Sequence, residues 1–208
     1  MNDKDPINSL NEIKSMMQKS SKFTSINGWS GIWAGFVGII SAAIAHFILL
    51  GNSSNYSNYQ EFSDLSTVKL KLILLGIATV IIAATGGFYF MIKKSSKDNI
   101  KFINPVTKRI LKRFCFILFI GGIVCLLFIK NLNLLYFAPS TLLFYGLALF
   151  HVERDTITEI KYLAIAEILL GLLAYYFIYN GLLFWLIGFG ILHVVFGIWI
   201  TVKYRNKA

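Results

Sequence analysis

Apolar positions in this chain fall into long runs separated by short polar stretches. A run of about twenty apolar residues is what a helix needs to cross a ~30 Å hydrocarbon layer. Six spans are predicted on that basis, at about 28–50, 70–92, 114–129, 134–152, 157–179 and 181–202. Ahead of them, residues 1–27 are polar, yet Ile7, Leu10, Ile13, Met16 and Met17 recur at helical spacing, with Lys14, Lys19 and Lys22 on the other side. That pattern predicts an interfacial amphipathic helix lying along the membrane surface. It lacks the short basic start of a cleaved signal peptide. The fold class read from the pattern is an all-α polytopic membrane protein with six transmembrane helices.

Small residues mark where helices approach one another. In the first span Gly28, Gly31, Gly35, Gly38, Ala42 and Ala45 alternate at intervals of three and four, leaving one face nearly without side chains. In lipid such a face lets a second helix come close, so the stripe is read as a packing surface and leaves room for a homo-oligomer. Gly76, Thr79, Ala83 and Gly86 give the second span a similar face. Pro139 is expected to kink or break the first turns of span four. The stretch 146–152 shares a faint likeness with 188–194, which makes a hairpin repeat conceivable. Residues 51–67 form a loop rich in Asn and Ser with two N-x-[ST] triplets, at Asn52 and Asn55.

Composition agrees with a bilayer and not with water. The chain has 208 residues, 56% hydrophobic and 14% charged, with a mean hydropathy of +0.66, whereas a soluble domain carries about 25% charged residues. A net charge of +10 would suit nucleic acid, but the cations flank the spans instead of forming a stripe on a soluble face. No nucleic-acid partner is expected. All Lys and Arg except Lys69, Lys71 and Lys130 fall on one side of the six spans, so both termini are read as cytoplasmic. The densest group, in the linker 93–113, is read as holding that loop in the cytoplasm, with a specific anionic-lipid site as the alternative.

Chemistry-bearing residues are few. Glu167 and His193 lie near the middle of the last two spans, at nearly equal distances from the turn Asn180-Gly181, so a hairpin brings them to one depth. A charged residue at that depth costs about 2.5–3.5 kcal/mol and needs a partner. Glu167 shares a face with Ala164, Gly171 and Ala174, and His193 with Gly190 and Gly197. These surroundings indicate a helix interface, where the two could hydrogen-bond and titrate as a coupled unit. The structural reading is glue that fixes the hairpin; the functional one is a proton-sensitive centre. Cys115 and Cys125 are about 15 Å apart along one helix, too far for a disulfide within it, and are read as small buried side chains. His46, His151 and His193 differ in depth, against a bis-histidine haem. No catalytic motif, metal-ligand spacing or cofactor signature occurs, and an enzyme is not expected.

Two stretches carry a resemblance. Glu12-Ile13-Lys14-Ser15-Met16-Met17-Gln18-Lys19-Ser20-Ser21-Lys22-Phe23, followed by Gly28-Trp29-Ser30-Gly31, resembles the opening of a family of small six-helix inner-membrane proteins found in Bacteroidota-type bacteria. Residues 183–193 are similar to the closing helix of that family. The chain departs from it at Lys14 and Lys22, where arginine is common and the charge is the same. The resemblance implies a bacterial inner membrane and carries over no activity and no catalytic residue. The expected role is structural, regulatory or partner-binding, and the alternative is a small proton-coupled transporter using Glu167 and His193.

Overall fold

The computed structural model describes Leu10, Ile13, Phe23 and residues 26–50, 65–99, 101–131 and 134–205. Among the described residues every regular element is helical. The order is α1 (Gly28–Leu50), α2 (Leu65–Lys97), α3 (Pro105–Lys130), α4 (Phe137–Val152) and α5 (Ile160–Tyr176). A final rod follows, built from α6 (Gly181–Trp185), a π-helical segment (Leu186–Leu192) and α7 (His193–Arg205). Among the described residues five stretches are long and apolar enough to cross a membrane: Gly28–Leu49, Thr67–Lys97, Pro105–Lys130, Leu134–Asp155 and Ile178–Arg205. Large apolar side chains such as Phe47, Val80, Phe119, Leu126 and Leu172 point outward along the helices. So much exposed apolar surface belongs in lipid, and these features mark a membrane protein.

Helix ends depart from the sequence expectation for identifiable reasons. α2 and α3 run through most of the basic linker, because lysine and arginine interrupt an apolar span without interrupting a helix. Lys94 and Lys97 then sit in the last turn of α2, where cations favour the helix dipole. The remaining connection turns at Asn99, whose φ of 53° lies in the left-handed region that asparagine tolerates. Asn104 caps α3 by accepting the Thr107 N–H at 2.8 Å, and Pro105 takes the first position, where its missing N–H costs nothing. The first turn of span four is 3-10 helix at Leu134–Tyr136, and the α-helix begins only at Phe137, two residues ahead of Pro139. Pro139 lies in the first turn of α4, where backbone N–H groups have no intrahelical acceptor to lose.

Packing follows the small residues, though not with the partners that the sequence suggested. α1 lies between α2 and the final rod, and α4 lies between α3 and α5. A Cβ on Gly31 would come 3.1 Å from Gly197 Cα, and one on Gly35 would come 2.7 Å from Gly190 O. The glycines of the α1 stripe are therefore filled from within the chain, by the final rod. On α5, Ala164, Glu167, Gly171 and Ala174 are all buried. This face closes on α4, where a Gly171 Cβ would come 2.9 Å from Leu143 N. The small faces of the last two spans thus turn largely to α4 and α1, because a glycine face admits any backbone that reaches it.

At the basic end the elements are tied by polar contacts. Asp155 accepts from Arg109 and Arg113, both at 2.7 Å. Its backbone carbonyl accepts the Phe23 N–H at 2.7 Å, and the Phe23 ring packs edge-on against Phe102 at 5.9 Å. Glu159 pairs with Lys203 and accepts from the Tyr204 hydroxyl. Leu10 and Ile13 are helical and exposed. The rest of the expected amphipathic helix before Phe23, and the loop 51–64 with Asn52 and Asn55, lie outside the described residues. Asp155→Asn is expected to cost about 1 kcal/mol, since both of its arginines are part-exposed. The check is a melting curve in detergent, where the variant should unfold a few degrees lower; an unchanged midpoint would mean that solvent screens both pairs.

Candidate functional site

Three helices deliver one polar group each to one place in the bundle, two of them buried and the third, Tyr145, half-buried. Glu167 lies midway along α5 and is 0% exposed, and His193 opens α7 at 4%. Their closest approach is 3.3 Å, from His193 Nδ1 to Glu167 Oε1. That is an ion-pair distance without an aligned hydrogen bond, because the Nδ1 hydrogen is directed elsewhere. It points to the Gly188 carbonyl, 2.9 Å away, and a carbonyl can only accept, so Nδ1 carries a proton. The other ring nitrogen, Nε2, lies 2.8 Å from the Tyr145 hydroxyl of α4. In a neutral ring Nε2 accepts from the phenol; in an imidazolium it donates to the phenol oxygen. Both states satisfy the ring.

Glu167 is placed differently. Both of its carboxyl oxygens are buried, and neither accepts a hydrogen bond. Oε2 lies against Gly188, where an added Cβ would be 2.7 Å away. A buried carboxylate without hydrogen bonds is costly, and native structures rarely keep one without a reason. Two states lower the cost: a proton on Glu167, or a positive charge on the adjacent imidazole. Moving one proton between Glu167 and His193 converts one state into the other without changing the net charge.

The local backbone explains why these groups meet. Leu186–Leu192 forms a π-helical segment, whose wider turns spread consecutive side chains differently from an α-helix. The His193 ring reaches five residues back to Gly188, the interval that a π-helical backbone bond would span. Gly188 leaves room for the carboxylate and for Leu142, while Gly190 admits Ile39 of α1. Phe189 continues the cluster outward. Its ring stacks with His193 at 5.9 Å and lies 5.1 Å from Tyr145 and 5.0 Å from Trp185.

The structure brings Glu167 and His193 together and adds Tyr145, which the sequence reading passed over. Its signal was a phenol within an apolar span, a group that needs a hydrogen-bond partner once buried. His46 and His151 are exposed and stand apart from the cluster. Cys125 is buried as expected, but Cys115 is exposed, on the outward face of α3. The likeness between 146–152 and 188–194 does not extend to backbone form, since the first stretch is regular α-helix and most of the second is π-helical. Among the described residues no three His, Cys, Asp or Glu side chains converge as metal ligands do.

Compared with protein-family models, curated proteins and solved structures, the chain matches none. What the cluster can do follows from its own chemistry. It can hold a proton in either of two places, and it can fix three helices against one another. Glu167 and His193 are closed off from solvent, and the ring is engaged at both nitrogens.

Proposed function

We propose that this is a six-span protein of a bacterial inner membrane, with both termini in the cytoplasm and a structural, regulatory or partner-binding role. The observation that carries this reading is the enclosure of the polar cluster. Glu167 and His193 are almost without solvent contact, and the imidazole is held by α4 on one side and by its own rod on the other. Groups held this way fix the bundle; they do not meet a substrate. The lone cations Lys69, Lys71 and Lys130 against the many at the other end support the orientation. The exposed Leu10 and Ile13 support a contact surface in the N-terminal segment.

A second reading, a small proton-coupled transporter, is favoured by the two Glu167 oxygens that accept no hydrogen bond. Dissipation of a pH gradient in vesicles separates the two. The lock predicts that Glu167→Gln and His193→Ala leave proton flux at the wild-type level while lowering heat stability in detergent. Flux that is present in the wild type, and lost in either variant at normal insertion, would overturn it in favour of the carrier.

A further inference from the structure

We propose that the cleft between the α1–α2 pair and the α3–α4 pair binds the acyl chain of an anionic phospholipid, with the lipid headgroup at Lys69. This site meets the aromatic edge of the polar cluster at Trp185 but does not depend on the cluster's role. The cleft is a cavity of about 140 Å³ whose lining includes Ser41, Ala45, Lys69, Gly76, Thr79 and Trp185. α2 leans on α1 and α3 on α4, and the cavity is the gap left between the pairs. Its wall is open at Gly76, where an added Cβ would meet nothing within 4 Å.

Three features select the occupant. The first is length. Lys69 and Thr79 lie ten residues apart on α2, which is about 15 Å of helix. That is half of a ~30 Å hydrocarbon layer, the depth of one leaflet's acyl chains. The second is polarity. Deep in the cleft, the Ser41 and Thr79 hydroxyls satisfy each other at 2.6 Å, and Thr79 also bonds Leu75 O at 2.7 Å. They ask nothing of a ligand, and most of the remaining lining is apolar. The third is charge at one end. Lys69 Nζ donates to Ile129 O at 3.0 Å, which uses one of its three hydrogens. No described carboxylate pairs with it. An ammonium above an apolar slot matches a phosphodiester above a hydrocarbon tail. Lys130, beside the lining residue Ile129, adds a second cation at the same end.

Trp185 faces the cleft and supplies the readout. The intact protein is reconstituted in mixed phosphatidylcholine–phosphatidylglycerol vesicles in which one lipid or the other carries bromine on its acyl chains. The Trp185 contribution is taken as the difference in quenching between wild type and Trp185→Phe. Bromine on phosphatidylglycerol is expected to quench Trp185 about five-fold more strongly per lipid than bromine on phosphatidylcholine, the factor that one lysine supplies near an anionic headgroup. Lys69→Gln should cut the preference for phosphatidylglycerol, Lys69→Gln with Lys130→Gln should bring the two lipids level, and Gly76→Leu should reduce quenching by both. Equal quenching by the two lipids in the wild type would overturn the proposal, as would quenching by neither, which means that the chain itself closes the cleft. Quenching only by brominated free fatty acid would overturn the phospholipid assignment. Should Trp185→Phe not fold, native mass spectrometry of the wild type and Lys69→Gln tests the same point. Retained phosphatidylglycerol that falls on Lys69→Gln supports the site, and equal retention overturns it.

Discussion

Replacing His193 with alanine is expected to destabilise the protein by about 2–5 kcal/mol, the range for truncating a large buried side chain to alanine. The substitution removes the one base paired with Glu167 among the described residues. It also leaves the Tyr145 hydroxyl without the partner that it has at 2.8 Å. The hydrogen bonds themselves are the lesser part, since interhelical bonds in membrane proteins average about 0.6 kcal/mol. Left without the ring, Glu167 carries an unpaired buried charge or must take up a proton, and this adds to the cost. Two further variants isolate it. Glu167→Gln keeps the shape and removes the charge, so it should cost no more than about 1 kcal/mol. Glu167→Leu with His193→Leu removes both polar groups, and apolar replacement of a buried pair is often neutral or stabilising. The double variant should therefore be more stable than His193→Ala alone. Thermal unfolding in one detergent, across all three, measures the sequence of effects. If His193→Ala melts with the wild type, the cluster does not hold the bundle together.

How much of this could be read from the residues depends on what each signal encodes. The acid and imidazole were legible because charge at mid-span is costly and a turn at Asn180-Gly181 fixes their depth. Tyr145 was not, because its ring counts as apolar along a span and its partner is 48 positions away in the chain. The glycine stripe of α1 announced a close contact without saying with what. Only the folded chain assigns it to the final rod, through Gly190, Val194 and Gly197. The π-helical segment left no trace either, since Gly188 and Gly190 fit an ordinary packing face equally well. The spans read at 70–92 and 114–129 are shorter than α2 and α3, because hydropathy reports where lipid begins, while the helix continues through Lys93–Lys97 and Lys108–Arg113. Fold class is thus carried by composition and periodicity, but partner choice among interchangeable small faces is not.

Gly38→Ala is expected to cost about 1–3 kcal/mol, although alanine is the better helix former by close to 1 kcal/mol. The sign is decided by what the methyl meets. An added Cβ at Gly38 would lie 2.7 Å from the carbonyl carbon of Phe189 and 3.1 Å from Gly190 N. Both are backbone atoms and cannot swing aside as a side-chain tip can. The final rod must then move away from α1, and the part displaced is the π-helical segment that carries Gly188 toward Glu167. Leucine at the same position should be worse, because its extra bulk enters the same gap. Gly122→Ala is the matched control. It lies within α3, where an added Cβ meets nothing within 4 Å, so only propensity acts and stability should hold or rise by up to about 1 kcal/mol. Melting temperatures in detergent should move in opposite directions for the two alanines. If they move together, α1 does not pack on the final rod as described, and the cluster behind that contact loses the wall that keeps it closed.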